Sequence, residues 1–497
     1  MVNSPIHSLV LGAGVGGLSV ALLLAKAGRR VTLLEKQSAI GGRLARFHRD
    51  GIPFDTGLHF TSSLVGILGQ MLTVLGAEDG IEAENFPWLL RLPDGHELVF
   101  PNCGRKQFYE YLAQEFPREA DALRKYRMLE TEVLRNTPMF DLRVGLDDSM
   151  MAFSDMDQLP LGVLLEQLGM SPELSCALAS PVLYHGGVPA EVPAARHFRV
   201  SYGFEEEMIR LKEGGDALIR NFRRELERLG VEVRTSTYVT GFQELDARGQ
   251  CHSAELSDGT SVVFDDLFSS LHPAEIVPLL PSDNRRGFQR LVAQLEDTCG
   301  FFTIFATVDE RCPVKPHLVS YLRDFDFNKI MYASSCQESF LSTGCVFSRE
   351  RRQDDTPVQC LILLSPYPAP PSVPPPSPEE KGRMTKVVLD HFYESLPEMQ
   401  GRIQVIAAAS PHTYARYVPP GRGAYGVRMR VDNPRLMGRL PVRNFYGIGE
   451  NAFAPGGVGT LLSSFLGARQ VLGEGAYLGL LPERAFPDSF VAWNSNF

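Results

Sequence analysis

The chain has 497 residues, enough for two or three domains at roughly 150 residues each. Apolar residues make up 44% and charged residues 22%, which excludes a disordered or fibrous chain. With 49 Lys and Arg against 59 Asp and Glu the net charge is −10, so the surface is a poor general binder of nucleic acid.

Eight cysteines stand without CxxC or zinc-type spacing, which reads as reduced thiols and no metal site. No stretch offers 18 uninterrupted apolar residues, so no spanning helix is expected. The expectation is a cytoplasmic protein, at most peripheral on a membrane, with Phe86–Leu90 and Phe301–Phe302 as candidate apolar contact patches. Thirty phenylalanines against two tryptophans suit a large core or a greasy tunnel.

In chain order, Ile6–Leu11 is an apolar strand ending at Gly12. Val15–Ala27 is an Ala- and Leu-rich helix closed by Gly28, and Arg30–Leu34 is a β-branched strand ending at Glu35. Charged, Leu-rich helices follow at Lys106–Phe116 and Arg118–Leu134. Strands are predicted at Val231–Val239, Ser261–Phe264, Leu267–Leu271, Gly300–Val308 and Gln359–Leu364. Between Pro366 and Pro378 eight of thirteen residues are proline, an extended solvated loop. A helix at Pro378–Leu396, a strand at Asn444–Ile448, a glycine-rich loop and a helix at Thr460–Leu472 complete the chain.

The chemistry starts at Gly12-x-Gly14-x-x-Gly17, which follows a strand and opens a helix. The first glycine permits the turn, the second lets a pyrophosphate approach the backbone, and the third lets helix and strand pack. Glu35, 21 residues beyond Gly14, stands where a carboxylate accepts from ribose hydroxyls. This is a dinucleotide site. No second such motif follows a strand elsewhere, so electrons must be exchanged with a transient partner: a quinone, oxygen or loosely held nicotinamide.

After Glu35 comes Gly41-Gly42-Arg43-Leu44, which resembles the extended signature of the flavin-containing amine oxidase and phytoene desaturase superfamily. Phe54-Asp55-Thr56-Gly57-Leu58-His59 is similar to its D-x-G-x-H segment beside the flavin ring. Gly447-Ile448-Gly449-Glu450 followed by Gly456-Gly457-Val458-Gly459 resembles its last flavin motif. Phe54–Phe60, Ser410–Thr413 with Tyr417, and Gly421–Gly426 lean toward the branch of phytoene desaturases, carotenoid isomerases and retinol saturases.

The resemblance implies an α/β fold: a Rossmann-like FAD-binding domain from 1–85, 205–290 and 400–497, and a mixed α+β substrate domain from 86–204 and 291–399. It places FAD on Gly12, Gly14, Gly16, Gly17, Glu35, Lys36, Gly42, Arg43, Leu44, Gly57, His59, Val239, Gly449, Glu450, Gly457 and Val458. Arg43 would hold the pyrophosphate, and Val239 would meet the adenine through its backbone. The implied activity is saturation, desaturation or isomerisation of C=C bonds in a long apolar isoprenoid, polyene or lipid. His59, Tyr417 and Tyr425 are the candidates for proton transfer, whereas His185 reads as a turn histidine. Two other readings share the motifs: an amine oxidase, whose aromatic pair would be Tyr417 and Tyr425, and a flavin-fold carrier of a prenylated partner that has lost FAD.

Overall fold

The computed structural model describes residues 5–135, 141–143, 155–332, 340–367, 374–417, 423–432 and 438–482. Two sheets organise it. The first is wholly parallel, with strand order Glu232–Arg234, Arg30–Leu34, His7–Leu11, Asp266–Ser269 and Phe445–Gly447. The central strand is covered on both faces, which is why it reads as a continuous apolar run rather than an alternation. Helix Val15–Lys26 connects it to Arg30–Leu34 and packs against helix Gly456–Leu472, one turn longer at its start than the sequence suggests.

The predicted strand Val231–Val239 is broken in two. Ser236 takes a positive φ of 54°, and the main chain of the Glu35–Gln37 turn captures the stretch between. Ser236 N–H donates to Gln37 O at 2.9 Å and Thr237 N–H to Glu35 O at 2.9 Å. Val239–Phe242 then opens a separate three-stranded antiparallel sheet with Ser253–Leu256 and Ser261–Val263.

The second large sheet has seven strands in the order Ile403–Ala409, Gly300–Val308, Pro357–Tyr367, Ser342–Arg351, His317–Leu322, Trp88–Arg91 and Glu97–Val99. Ile403–Ala409, assigned from sequence to the cofactor domain, is instead this sheet's edge strand, paired antiparallel with Gly300–Val308. One face carries Phe302, Ile304 and Ala306 under helix Pro378–Ser395, whose N-terminus is held by a capping box between Ser377 and Glu380. The other face carries Phe305, Val346 and Ile362 and packs toward the helices between residues 105 and 206. Most of the candidate membrane patches is core: Phe86 and Phe302 are 0% exposed and Trp88 2%, while Leu89 and Phe301 are half-buried. Among the described residues no helix is long and apolar enough to cross a membrane, and the seven described cysteines are free thiols.

A buried charge cluster ties the strands carrying Asp55 and Arg210 and the helix that starts at Asp216 to the seven-stranded sheet. Arg210 donates to Asp55 Oδ2 at 2.7 Å and to Glu350 Oε1 at 2.5 Å. Arg46 donates to the other Glu350 oxygen at 3.0 Å and to Asp216 at 2.9 Å. Asp55 ends the strand that leads into Gly57–His59, and Glu350 lies on the seven-stranded sheet. The cluster therefore fixes one wall of the site against the other. Three carboxylates face two guanidiniums here, and burial together with Asp55 pushes the Glu350 carboxyl up to about 7. The folded protein holds that proton more tightly than the unfolded chain, so its contribution is full below about pH 4.5 and is lost as pH rises through about 7. Chemical denaturation across that window should show Glu350→Gln losing less stability with rising pH than the wild type. Arg210→Met should cost roughly 3–5 kcal/mol at neutral pH, because it strands the buried Asp55 carboxylate and leaves Glu350 with Arg46 alone.

Candidate functional site

The cradle lies at the carboxyl end of the central parallel strand, where neighbouring strands leave it on opposite sides. Gly12 N–H donates to Leu34 O at 2.8 Å and turns the chain into helix Val15–Lys26. A side chain at Gly17 would collide with Gly12 O, so this glycine seats the helix on the strand. Gly42, at φ +54°, brings its backbone so close to Gly14 that a Cβ would stand 3.0 Å from Gly14 Cα. A Cβ on Gly14 itself would meet nothing within 4 Å. In this crowded turn that is the open side, and the N-terminus of Val15–Lys26 borders it with free N–H groups. Leu44 is buried beneath the turn, anchored by its N–H to Gly41 O at 3.0 Å.

Glu35 sits at the end of its strand. Its two oxygens accept Ala13 N–H at 2.7 Å and Gln37 N–H at 2.8 Å, which aims the carboxylate and leaves each oxygen a lone pair for a ribose hydroxyl. Lys36 is exposed with Nζ over the Tyr238 ring at 5.3 Å. Val239 is buried among Leu9, Leu11 and Leu34.

The last motif arrives from the other side. Gly449 N–H donates to Ser463 Oγ at 2.7 Å, and Ser464 Oγ donates to Gly16 O at 2.9 Å, locking helix Gly456–Leu472 onto the first turn. Gly457 faces Leu58, whose Cδ1 lies 3.9 Å from where a Cβ would be, and Val458 beside it is half-buried. Arg43 donates through one nitrogen to Glu450 Oε2 at 2.6 Å and to Ala424 O at 2.7 Å, stitching the Gly423–Tyr425 turn to the last motif. Gly57 packs against Arg43, with a would-be Cβ 3.0 Å from Arg43 Cβ. His59 carries a buried Nδ1 with no hydrogen-bond partner among the described residues, and burial, outweighing the attraction of Asp55, pushes its pKa down so that it is neutral.

FAD fits this arrangement. The open side of Gly14 admits a pyrophosphate, Glu35 admits the ribose, and the orphaned His59 Nδ1 supplies a polar contact that a bound flavin would satisfy. When bound, the isoalloxazine supplies hydride acceptance or donation.

Beyond His59 stands a cluster of aromatic rings. Phe60, Tyr184 and Phe204 meet ring to ring, with centroids 5.3 Å apart for Phe60–Tyr184, 5.3 Å for Tyr184–Phe204 and 5.8 Å for Phe60–Phe204. Phe301 stands edge-on to Tyr425 at 5.9 Å. Tyr184, Tyr414 and Tyr425 are deep enough for burial to push their hydroxyls up, Tyr414 to about 12, yet each keeps accessible surface. Deep groups with accessible surface are the wall of an internal space.

Tyr425 is therefore in the wall, but Tyr417 is 71% exposed and apart from it. Tyr414, one helical turn earlier, takes the inward place and donates to Thr303 Oγ1 at 3.1 Å. Sequence reading missed it because the short helix Pro411–Tyr414 rotates Tyr417 outward. His185 is structural. Its Nδ1 accepts Gly187 N–H at 3.3 Å and its Nε2 meets His197 Nδ1 at 3.2 Å, with both rings buried. Among the described residues no cluster of three or more His, Cys, Asp or Glu could hold a metal.

Comparison with known proteins agrees with this geometry. The model of the family "Flavin containing amine oxidoreductase" matches residues 15–369. All-trans-retinol 13,14-reductase of Rattus norvegicus is 24% identical, over 96% of this chain and 88% of its own length. Phytoene desaturase of Fusarium fujikuroi is 26% identical over 67% of this chain and 58% of its own. A solved oxidoreductase from Methanosarcina mazei shares the fold, with TM-score 0.64 and 16% identity over 94% of this chain and all of that one. The chain belongs to the flavin-containing amine oxidoreductase family. It is an FAD-dependent oxidoreductase with a Rossmann-like cofactor sheet and a second mixed sheet.

The cradle yields a direct test. Gly14 has negative φ and open space before it, so Gly14→Val should fold with the wild-type melting temperature of the FAD-free protein. It should also lose essentially all FAD, read as the ratio of flavin to protein absorbance after loading and gel filtration.

Proposed function

We propose that the enzyme acts on C=C or C–C bonds of a long apolar isoprenoid, polyene or lipid by saturation, desaturation or isomerisation. The observation that carries this reading is the cluster of half-buried aromatic rings that begins at Phe60, the residue after His59, which we read as the wall of a substrate hollow. An acyclic hydrocarbon chain needs apolar walls, few polar contacts and exclusion of water, and the rings of Phe60, Phe204, Phe301 and Tyr425 provide them. The names of the retinol reductase and phytoene desaturase relatives support the same substrate class.

The chain's own residues divide the work. Glu35 and the Gly12–Gly17 turn hold the cofactor, Arg43 and Glu450 fix the Tyr425 turn against it, and His59 shapes the flavin side as a neutral imidazole. Tyr425 is a wall residue, its proton committed to Leu183 O at 3.3 Å. Electrons come from, or pass to, a transient partner: a quinone, oxygen or loosely bound nicotinamide. Peripheral membrane contact would give access to such substrates.

An amine oxidase is the less supported reading, because its aromatic pair is not assembled: Tyr417 is at the surface. A carrier that has lost FAD is disfavoured by the open Gly14 cradle. Under anaerobic conditions a polyene should restore the oxidised bands of reduced, FAD-loaded protein if it is saturated, bleach the oxidised bands if it is desaturated, or be converted to its geometric isomer by the reduced protein with no net change in the bands, and amines should not bleach the oxidised protein. Bleaching by an amine with no response to any polyene would overturn the assignment.

A further inference from the structure

Three half-buried tyrosines stand around the hollow, and their protons are not equally committed. Tyr425 donates to Leu183 O and Tyr414 to Thr303 Oγ1. Tyr184 is bonded to Ser320 Oγ, and the direction of that bond follows from hydrogen-bond accounting. The indole N–H of Trp88 can only donate, and it donates to Ser320 Oγ at 3.1 Å. Ser320 is 0% exposed, so its own proton needs an acceptor inside the protein. Among the described residues the Tyr184 oxygen is the partner available to it. The opposite direction would orphan a buried hydroxyl proton, at the cost of an unmade hydrogen bond. The chain therefore runs from Trp88 N–H to Ser320 O–H to Tyr184, and ends on the phenolic proton of a half-buried residue.

The sheet beneath is arranged to suit. Ser320 is in register with Gly344, Gly344 with Leu364, and Leu364 with Thr303, so these four residues form one row across four strands. Gly344 presents no side chain under Tyr184; a Cβ there would already lie 3.8 Å from the tyrosine oxygen. Leu364, half-buried, is the apolar floor between the Tyr184–Ser320 pair and the Tyr414–Thr303 pair. Among these three tyrosines, Tyr184 is thus the one whose proton is uncommitted among the described residues, above an apolar floor.

We propose that the Tyr184 hydroxyl donates a hydrogen bond to an oxygen at one end of the substrate, so that the hollow selects an oxygen-bearing polyene or lipid over the matching hydrocarbon. This rests on the reading of the hollow as the substrate site. Burial pushes the Tyr184 hydroxyl up, so it keeps its proton and serves as a hydrogen-bond donor rather than as an acid.

The test is binding to the FAD-loaded protein, followed by the flavin difference spectrum. The two ligands are all-trans-retinol and the same polyene with hydrogen in place of the hydroxyl. The wild type should bind the alcohol about 10-fold more tightly. Tyr184→Phe, which keeps the ring contacts with Phe60 and Phe204, should retain its flavin and bind both ligands with the affinity the wild type has for the hydrocarbon. Equal wild-type affinities, or an equal loss for both ligands in Tyr184→Phe, would overturn the assignment of Tyr184 and leave the hollow as the substrate site. Failure of the wild type to bind either ligand would overturn the reading of the hollow, and this proposal with it.

Discussion

Gly14 and Gly42 bring two stretches of main chain together with no side chain between them, and the rest of the site is arranged around that approach. The contact is possible because the first turn ends a fully buried parallel strand and the second carries a positive φ. A larger residue at Gly42 would push the Gly41–Leu44 turn off the first loop and carry Arg43 with it. Placement of Arg43 in turn decides where the Gly423–Tyr425 segment lies, since the guanidinium holds both Glu450 and Ala424 O. A constraint on backbone spacing thus reaches the wall of the substrate hollow through one side chain.

The second organising element is buried charge. Arg210 and Arg46 join the Asp55 strand, the Asp216 helix and the Glu350 strand, so the flavin-side segment and the substrate sheet cannot shift independently. Such clusters contribute less to net stability than to uniqueness, because desolvation offsets much of the attraction. At an interface where a cofactor must face a substrate, a single fixed geometry is the useful product.

Much of this was legible in the sequence, for identifiable reasons. The strand–turn–helix around Gly12–Gly17 is local, and its glycines answer to sterics that any sequence must obey. The Gly-Gly-Arg turn and the terminal glycine loop are legible for the same reason, and the strand Gly300–Val308 announced itself by its apolar, β-branched run. What could not be read depends on partners distant in the chain. The break in Val231–Val239 comes from capture by the Glu35–Gln37 main chain, and Ile403–Ala409 changes sheets because Gly300–Val308 offers it an edge. The guanidinium of Arg43 is engaged by residues some 380–407 positions away. Tyr417 and Tyr414 differ only in helical phase, and Tyr184 matters through a serine and a tryptophan on another sheet. The sequence had singled out its neighbour His185, whose imidazole is consumed by the pair it forms with His197.

The most direct test of the account is a diffraction structure of the FAD-loaded protein with a bound polyene. The account predicts the isoalloxazine beside Gly57–His59 and the polyene in the hollow, running over Leu364 and in contact with Phe60 and Tyr425. A polyene bound elsewhere, or a hollow filled by side chains once FAD is in place, would contradict it.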